Sequence, residues 1–464
     1  MSKVNKDGDY SACLAAFAST LRFKDIPDAV LARLKTSVLD SIGCCLYGAR
    51  LPWTKQVADL VSNEQAKPVA TVLGSNIRTT VANAVLVNAT AGHAFELDDI
   101  HTESVLHPGS IAVPIALAFA QQQGAWSGQD FLTSLAAGYE LGIRVGNAAT
   151  TALFFRGFHP QGTSGVFVAA ATAGRALRLD PEAMLNALGI AGSQAGGLMA
   201  AQEGAMVKRF HAGRAAQSGV YAASLARTGF TGIRDVLEAE YGGFLSAYSG
   251  KANMSRLTED LGSEWETEKV GYKPYAAVTS IHTALYGLLK LMRNHGLRAG
   301  DLEKIRVGVS PMTFTHCVWP YAAQGVTAAQ MNLYYGLAVI AVDGDAFVDQ
   351  YRLDRIGDPV ISEMIKRIDA YVDPEIEKSG ASSRHSCVVE VHTTDGRQWV
   401  ERFTKRLGSF ELPLTQDAIQ EKFTKLVRDF MDREHIDRIV DTAFHLDERA
   451  DVHELIDLLT DVST

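Results

Sequence analysis

The 464-residue chain is poor in cysteine, in net positive charge and in long apolar runs. Its five cysteines form no C-x-x-C pair, so nothing supports a disulfide framework, a zinc site or an iron–sulfur cluster. A net charge of −9 argues against a nucleic-acid partner, which would need a basic face. The N-terminus shows no signal peptide and the apolar stretches are too short to cross a bilayer. We therefore expect a cytoplasmic protein with no membrane partner.

Helical periodicity dominates residues 10–270. Alanine-rich stretches such as 28–48 and 162–179 repeat apolar residues at helical spacing, and alternating β-branched runs are scarce. Clusters of glycine and other small residues punctuate these stretches, which indicates helices that pack closely.

The pattern changes near residue 270. The best strand candidates are 303–314 and 386–403, and the second contains the turn pair Asp395-Gly396, typical of a hairpin. Helical periodicity returns in 327–344 and 358–372.

A charged helical tail begins at about residue 415. With 47% apolar residues, the chain is long enough for two domains. We predict a mainly α fold with an α+β lid. Residues 1–269 form the all-helical domain, the C-terminal helices of 410–464 complete it, and 270–409 form the lid.

The densest polar cluster is HAFELDDIHTESVLHPGS, residues 93–110, which holds three histidines and four carboxylates. Such a set could bind a metal, although it contains neither an H-x-x-x-H pair nor H-E-x-x-H. Asp98 or Asp99 could instead cap a helix. The third interpretation is acid–base chemistry and substrate anchoring, with His107 in the turn at Pro108-Gly109.

A second cluster, FRGFHPQGTSG, places His159 before a helix that we expect to open near Thr163. Backbone N–H groups at that helix end could bind an anion, although any capped helix looks similar.

Cations interrupt two further stretches. VKRFHAGRAAQSG carries Lys208, Arg209 and His211, either as carboxylate-binding groups or as a solvated helix face. GYKPYAAVTSIHTAL carries Lys273 before a proline, and also His282, which fits a core histidine better than a functional one. Together the four clusters suit a small polyanionic substrate, because fixed cations and a positioned base ease proton removal beside a carboxylate. No P-loop or dinucleotide-binding motif occurs.

In their order and spacing, the segments that carry these clusters resemble the MmgE/PrpD family, which includes 2-methylcitrate dehydratase, cis-aconitate decarboxylase and iminodisuccinate epimerase. The resemblance covers nearly the whole chain: LKTSVLDSIGCCLYG, HAFELDDIHTESVLHPGSIAVP, GFHPQGTSG, MVKRFHAGRAAQSG, VGYKPYAAVTSIHTA and AAQMNLYYGLAVIAVDGD. It implies a helical domain closed by its own C-terminal helices, an inserted lid, a homodimer, and catalysis without a metal or other cofactor.

The resemblance also implies the site residues, in a cleft between helical domain and lid. The expected catalytic residues are His107, His159, Asp98, Glu96 and Lys208. The expected substrate-binding residues are Lys208, Arg209, Lys273, Asp99 and His211. In this assignment the lysines and Arg209 hold carboxylates, and His107 and His159 move protons.

The favoured function is dehydration of a 2-methylcitrate-like hydroxy-polycarboxylate. The alternatives are an epimerase or racemase of a dicarboxylate such as iminodisuccinate, a cis-aconitate-type decarboxylase, and a helical binding protein without activity. Three positions depart from the decarboxylase: Glu96 where it has Asp, Ile100 where it has Thr, and Val278 where it has His. These departures disfavour the decarboxylase and do not separate dehydratase from epimerase.

Overall fold

A computed structural model describes residues 8–380 and 383–460 of the chain. Residues 8–269 are mainly helical, and their helices are α1 Tyr10–Thr20, α2 Asp28–Ala49, α3 Pro52–Asn63, α4 Val81–Gly92, α5 Gly109–Gln123, α6 Gly128–Phe155, α7 Pro160–Thr163, α8 Gly165–Ala176, α9 Pro181–Gly192 and α10 Val207–Ala226. The strands before residue 300 have two residues each: β1 Ala70–Thr71, β2 Arg78–Thr79, β3 Ile100–His101 and β4 Val270–Gly271.

Small residues let the central helices pack closely. Helix α8 packs against both α6 and α10, and glycines lie at both contacts. A Cβ added to Gly142 of α6 would lie 2.1 Å from a methyl group of Val168, and one on Gly219 of α10 would lie 2.2 Å from the Cβ of Ala169. The predicted close approach of these helices therefore has a direct cause in their glycines.

We refer to residues 270–409 as the lid segment. It contains α11 His282–His295, β5 Leu302–Val309, α12 Pro311–Cys317, α13 Val326–Met331, α14 Leu333–Asp343, α15 Leu353–Ile356, α16 Pro359–Ile365, β6 Ile368–Val372, α17 Pro374–Lys378, β7 Cys387–Thr393 and β8 Gln398–Phe403. The last four strands form one sheet in the order β6-β5-β7-β8. Strands β5 and β6 are parallel and the other pairs are antiparallel. Helix α11 packs against β7 and β8.

The C-terminal helices α18 Gln416–Val427, α19 Arg433–Phe444 and α20 His453–Thr460 follow the lid segment. Helices α18 and α19 pack against α2, and α20 packs against α5. The mainly α fold with a smaller α+β part is confirmed. The domain boundaries at residues 270 and 410 stay a prediction, and the short β3–β4 pair joins residues on either side of the first one.

The structure corrects three local predictions. The stretch 358–372 is not one helix, because α16 ends at Ile365 and β6 pairs with β5. The strand predicted over 303–314 ends at Val309, and α12 begins at Pro311. Residues 227–269 form mainly turns and single helical turns. The hairpin at Asp395-Gly396 is confirmed, with Gly396 at φ +84°.

Candidate active site

A cavity lies between the helical residues 8–269 and the lid segment. Helical-side residues around it include Glu96, His107, His159 and Lys208. Lid-segment residues around it include Lys273, Ser280, His316, Arg384 and His385. Apolar side chains fill out the wall: Ile100, Val105, Phe154, Met199, Val278, Met312 and Met331.

Asp98 orients two histidines from beneath this cavity. Its carboxylate lies 2.7 Å from Nδ1 of His93 and 3.3 Å from Nδ1 of His107. Nδ1 of His107 also lies 2.7 Å from the carbonyl oxygen of Asp99, which can only accept, so Nδ1 carries the proton. The neutral ring of His107 therefore has its lone pair on Nε2. Burial alone would raise the pKa of Asp98, but His107 and His93 lower it well below its usual range.

His159 belongs to a row of four histidines. Its ring centroid lies 5.7 Å from that of His93 and 5.1 Å from that of His211, and His93 lies 4.9 Å from His107. Nδ1 of His159 hydrogen-bonds to Nδ1 of His211 at 2.9 Å. Burial, His93 and Lys208 lower the pKa of His159 well below its usual value, so the ring is neutral near pH 7.

Glu96 joins the cations of the site. It is buried, and its backbone has φ +56°, a conformation that is strained for glutamate. One carboxylate oxygen contacts Lys208 and Arg209, and the other lies 3.3 Å from Nζ of Lys273. Burial alone would raise the pKa of Glu96, but the three cations lower it well below its usual range. Such a carboxylate is a weak proton acceptor.

Lys208 loses its proton more readily than a free lysine does. Burial lowers its pKa to about 8, although Glu96 opposes this shift. Arg209 bridges the two sides of the site, because Nη2 donates to Oε1 of Gln330 at 3.2 Å. Gln330 in turn donates to the carbonyl oxygen of Phe95 at 2.9 Å.

Asp99 points into the helical core. Its carboxylate accepts from the hydroxyl of Tyr139 at 2.8 Å and from the backbone N–H of Gly109 at 3.0 Å. Burial and the nearby Asp40 raise its pKa well above the usual value. These contacts fix the start of α5 and turn the side chain away from a substrate, so the geometry favours a structural role over the predicted substrate contact.

His93, Asp98 and His107 lie close enough together to be metal ligands. Hydrogen bonds account for the same geometry without an ion, since Nδ1 of His93 is bonded to Asp98 and Nδ1 of His107 to the Asp99 carbonyl. Asp98 faces both rings at Nδ1, so a metal bound by all three side chains there would have to displace the Nδ1 protons. A metal held through Nε2 would leave Asp98 as a hydrogen-bond partner of the rings and not a ligand. The donor set as arranged fits oriented imidazoles better than a metal centre.

Five of the predicted site residues line the cavity: Glu96, His107, His159, Lys208 and Lys273. Asp98, Arg209 and His211 stand behind them and contact them through their side chains. Asp99 contacts His107 only through its backbone carbonyl, and its side chain bonds to Tyr139. The helix after His159 begins at Pro160, earlier than predicted, and the N–H groups of Gly162 and Thr163 donate to the His159 carbonyl. These two N–H groups are therefore not free for the anion site that the sequence offered there as one alternative.

Four further residues of the site were not predicted from the sequence: His93 and the lid-segment residues His316, Arg384 and His385. His93 stands in the first polar cluster, five residues before Asp98, and that spacing could have identified it. The other three show no local pattern, because only the tertiary fold brings them to the cavity.

Fold and cavity together define a mainly helical protein with a smaller α+β part and a cavity lined by lysines and histidines. The family model of the MmgE/PrpD N-terminal domain matches residues 12–257, and that of the MmgE/PrpD C-terminal domain matches residues 275–446. The chain belongs to the MmgE/PrpD family, so the resemblance read from the sequence is confirmed.

Similar proteins match over the full length of the chain. The cis-aconitate decarboxylase-like protein oryM of Aspergillus oryzae is 34% identical, over 98% of both chains. The cis-aconitate decarboxylase of Aspergillus terreus is 31% identical over 98% of this chain and 96% of its own. The human cis-aconitate decarboxylase is 26% identical over 95% and 92% of the two chains.

No helix in the described ranges combines the length and the apolar character that crossing a bilayer requires.

Proposed function

We propose that the protein is a carboxy-lyase that removes CO2 from an unsaturated tricarboxylate of the cis-aconitate type. The observation that carries the proposal is the cavity in which Lys208, Lys273, His107 and His159 meet. The full-length similarity to cis-aconitate decarboxylases supports the lyase class predicted from the sequence. It also favours the decarboxylase, one of the stated alternatives, over the 2-methylcitrate-type dehydratase.

The chemistry of this reaction matches the side chains. In cis-aconitate, one carboxylate sits on the carbon next to a C=C bond. When CO2 leaves, the electron pair of the broken bond forms a new C=C bond. The old π pair takes up a proton at the far carbon, beside another carboxylate. The site must therefore stabilise negative charge next to a retained carboxylate and supply one proton.

In the proposal, Lys208 and Lys273 hold the retained carboxylate on whose neighbouring carbon negative charge develops. His107 delivers the proton through Nε2, because its Nδ1 is held by the Asp99 carbonyl. The Asp98 carboxylate, 3.3 Å from Nδ1, stabilises the protonated ring before transfer. Solvent returns a proton to His107 after each turnover.

His159 and its neighbours position the substrate in this account. A neutral imidazole can hydrogen-bond a carboxylate through whichever nitrogen bears the proton, and His211 selects that nitrogen. A bound polyanion also raises the pKa of His159. His159 is therefore the alternative donor of the one proton that the reaction needs.

The three departures from the decarboxylase pattern, Glu96, Ile100 and Val278, all line the cavity. If the preferred tricarboxylate differs from cis-aconitate, these three side chains are the ones that would select it. The homodimer implied by the resemblance stays a prediction.

Product analysis on a panel of substrates tests the proposal. Cis-aconitate should yield CO2 and an unsaturated dicarboxylate. 2-Methylcitrate should not lose water at a comparable kcat/KM, and a dicarboxylate should not exchange its α-hydrogen with solvent. If water loss from 2-methylcitrate were the fastest reaction, the dehydratase would be the better assignment. If a dicarboxylate exchanged its α-hydrogen rapidly and no CO2 were released, the epimerase would be the better assignment.

A further inference from the structure

Two arginines near the cavity have no acidic partner. Among residues 8–380 and 383–460, no carboxylate lies within ion-pair distance of Arg384 or Arg406. Glu103 is the acidic residue whose charge raises the pKa of Arg384, and it is already paired with Arg256 at 2.6 Å. Neither arginine therefore forms an ion pair in the described ranges, and Glu411 acts on Arg406 only at longer range. Lys208, Arg209 and Lys273, in contrast, share Glu96.

The two guanidinium groups meet at one threonine of the cavity wall. Nη2 of Arg384 donates to the carbonyl oxygen of Thr102 at 2.5 Å, and Nη2 of Arg406 donates to its hydroxyl at 3.1 Å. Arg406 is 3% exposed, and its Nη1 has no hydrogen-bond partner among the described residues. Burial lowers the pKa of Arg406 to about 10, so it stays cationic at neutral pH.

His385 adds a second buried donor without a partner in the described ranges. Its Nε2 accepts from Nε of Arg384 at 3.2 Å, so the proton of the neutral ring is on Nδ1. That Nδ1 is buried and has no acceptor in the described part of the chain. Arg384 and His385 both line the cavity, and Arg384 also lines an adjoining outer pocket together with Met312 and His316.

Burying a cation without a counter-ion is costly, and an unsatisfied buried donor adds to that cost. An anion with several acceptor oxygens beside Arg384 and His385 would offset both costs at these two side chains. A planar carboxylate suits a guanidinium with free N–H groups. The geometry points to a second carboxylate subsite formed by Arg384 and His385, supported by Arg406 through Thr102, which holds a substrate carboxylate apart from the Lys208–Lys273 subsite.

This inference rests on the proposed function for its ligand class, a tricarboxylate. The test is calorimetric binding of tricarballylate, a saturated tricarboxylate, and of two dicarboxylates that each lack one of its carboxylates, glutarate and methylsuccinate. None of the three can undergo the proposed decarboxylation, so binding is measured apart from turnover.

In Arg384→Met, tricarballylate should bind roughly 10- to 150-fold more weakly, the range for a charge-assisted hydrogen bond. At least one dicarboxylate, the one lacking the carboxylate at this subsite, should bind the variant and the wild type equally. Arg384→Lys, which keeps the charge, should recover part of the loss. The matched control is Arg402→Met, since Arg402 lies on β8 of the lid segment, does not line the cavity, and pairs with Asp373 at 3.3 Å.

Equal loss for all three ligands, or no loss beyond that of Arg402→Met, would overturn the inference. If Arg384→Met fails to fold by circular dichroism, the same comparison is made with Arg384→Lys and His385→Phe, and the same ligand dependence is required. A protein that decarboxylates nothing yet shows this dependence would refute the proposed function alone. An active enzyme without the dependence would refute the subsite alone.

Discussion

At the scale of single residues, the site depends on which nitrogen of each histidine is already bonded. Nδ1 of His107 donates to the Asp99 carbonyl, which leaves Nε2 for the substrate in the proposed reaction. His159 spends Nδ1 on His211. The sequence could indicate both histidines, because they stand in polar clusters. It could not indicate their bonded nitrogens, nor the role of His93 between them.

His107→Asn should lower kcat by about 10²–10⁴-fold, the usual range for general acid–base catalysis. The asparagine amide can still donate to the Asp99 carbonyl, so the loop keeps its anchor while Nε2 is removed. His159→Asn should fall in the same range. The control is His295→Asn, because His295 is exposed and stacks on Trp399 at 4.6 Å. If both site variants turned over at the wild-type rate, proton transfer would have to be assigned elsewhere.

Lys208 should set the alkaline limb of the pH profile. Burial lowers its pKa to about 8, so the cation is lost as the pH rises through that value. Because kcat/KM reports the free enzyme, log(kcat/KM) should fall with a slope of −1 above about pH 8. Lys208→Arg should lack this limb, whatever its absolute activity, since arginine stays charged. A wild-type profile that stays flat well above pH 8 would contradict this account.

Activity should survive exhaustive chelation. The reason is that Asp98 is engaged with the Nδ1 atoms of His93 and His107, so the three side chains do not present their free lone pairs to one point. Elemental analysis of the purified protein, paired with assays before and after chelation, measures this. Stoichiometric zinc or iron, with activity lost on its removal and regained on its return, would show that the three side chains are ligands.

At the scale of elements, helical periodicity predicted most helices before residue 227, but it failed over 227–269 and concealed one strand of the lid segment. Residues 358–372 read as a single helix, but the second half pairs with β5 from Ile305↔Ile368 to Val309↔Val372. Hydrogen bonds to β5 override the local helical preference there, and the residues of the stretch itself do not indicate which strand they pair with. The same limit hid Arg384 and His385, which reach the cavity only through the fold of the lid segment.

Helix α18 is joined to the site by one buried lysine. Nζ of Lys422 lies 2.6 Å from Oδ1 of Asp40 on α2 and 2.5 Å from the carbonyl oxygen of Leu97, next to Asp98. Lys422→Met should lower the free energy of unfolding by about 3–5 kcal/mol, because Asp40 would be left buried without a partner.

Urea titration measures this loss. Lys425→Met, a more exposed lysine of the same helix, should change stability by no more than about 0.5 kcal/mol. The double variant Asp40→Asn/Lys422→Met should be more stable than Lys422→Met alone. Equal stability of Lys422→Met and Lys425→Met would show that the buried pair does not hold α18 in place.

At the scale of the whole molecule, neither half of the chain makes the site alone. His107, His159 and Lys208 lie in the region that matches the N-terminal family domain, and His316 and Arg384 lie in the region that matches the C-terminal one. Lys273 stands between the two matched regions. The family and the general fold could therefore be predicted from ordered motifs, whereas the reaction depends on cavity details that only the folded chain displays.

The most direct test of the central claim is to follow cis-aconitate by NMR with the protein in D2O. We predict that one CO2 is released per substrate consumed. The product should carry one deuteron, on the carbon that bore the vinylic hydrogen of cis-aconitate. His107→Asn should slow both events together. Consumption of cis-aconitate by addition of water, with no CO2 and no shift of the double bond, would contradict the account.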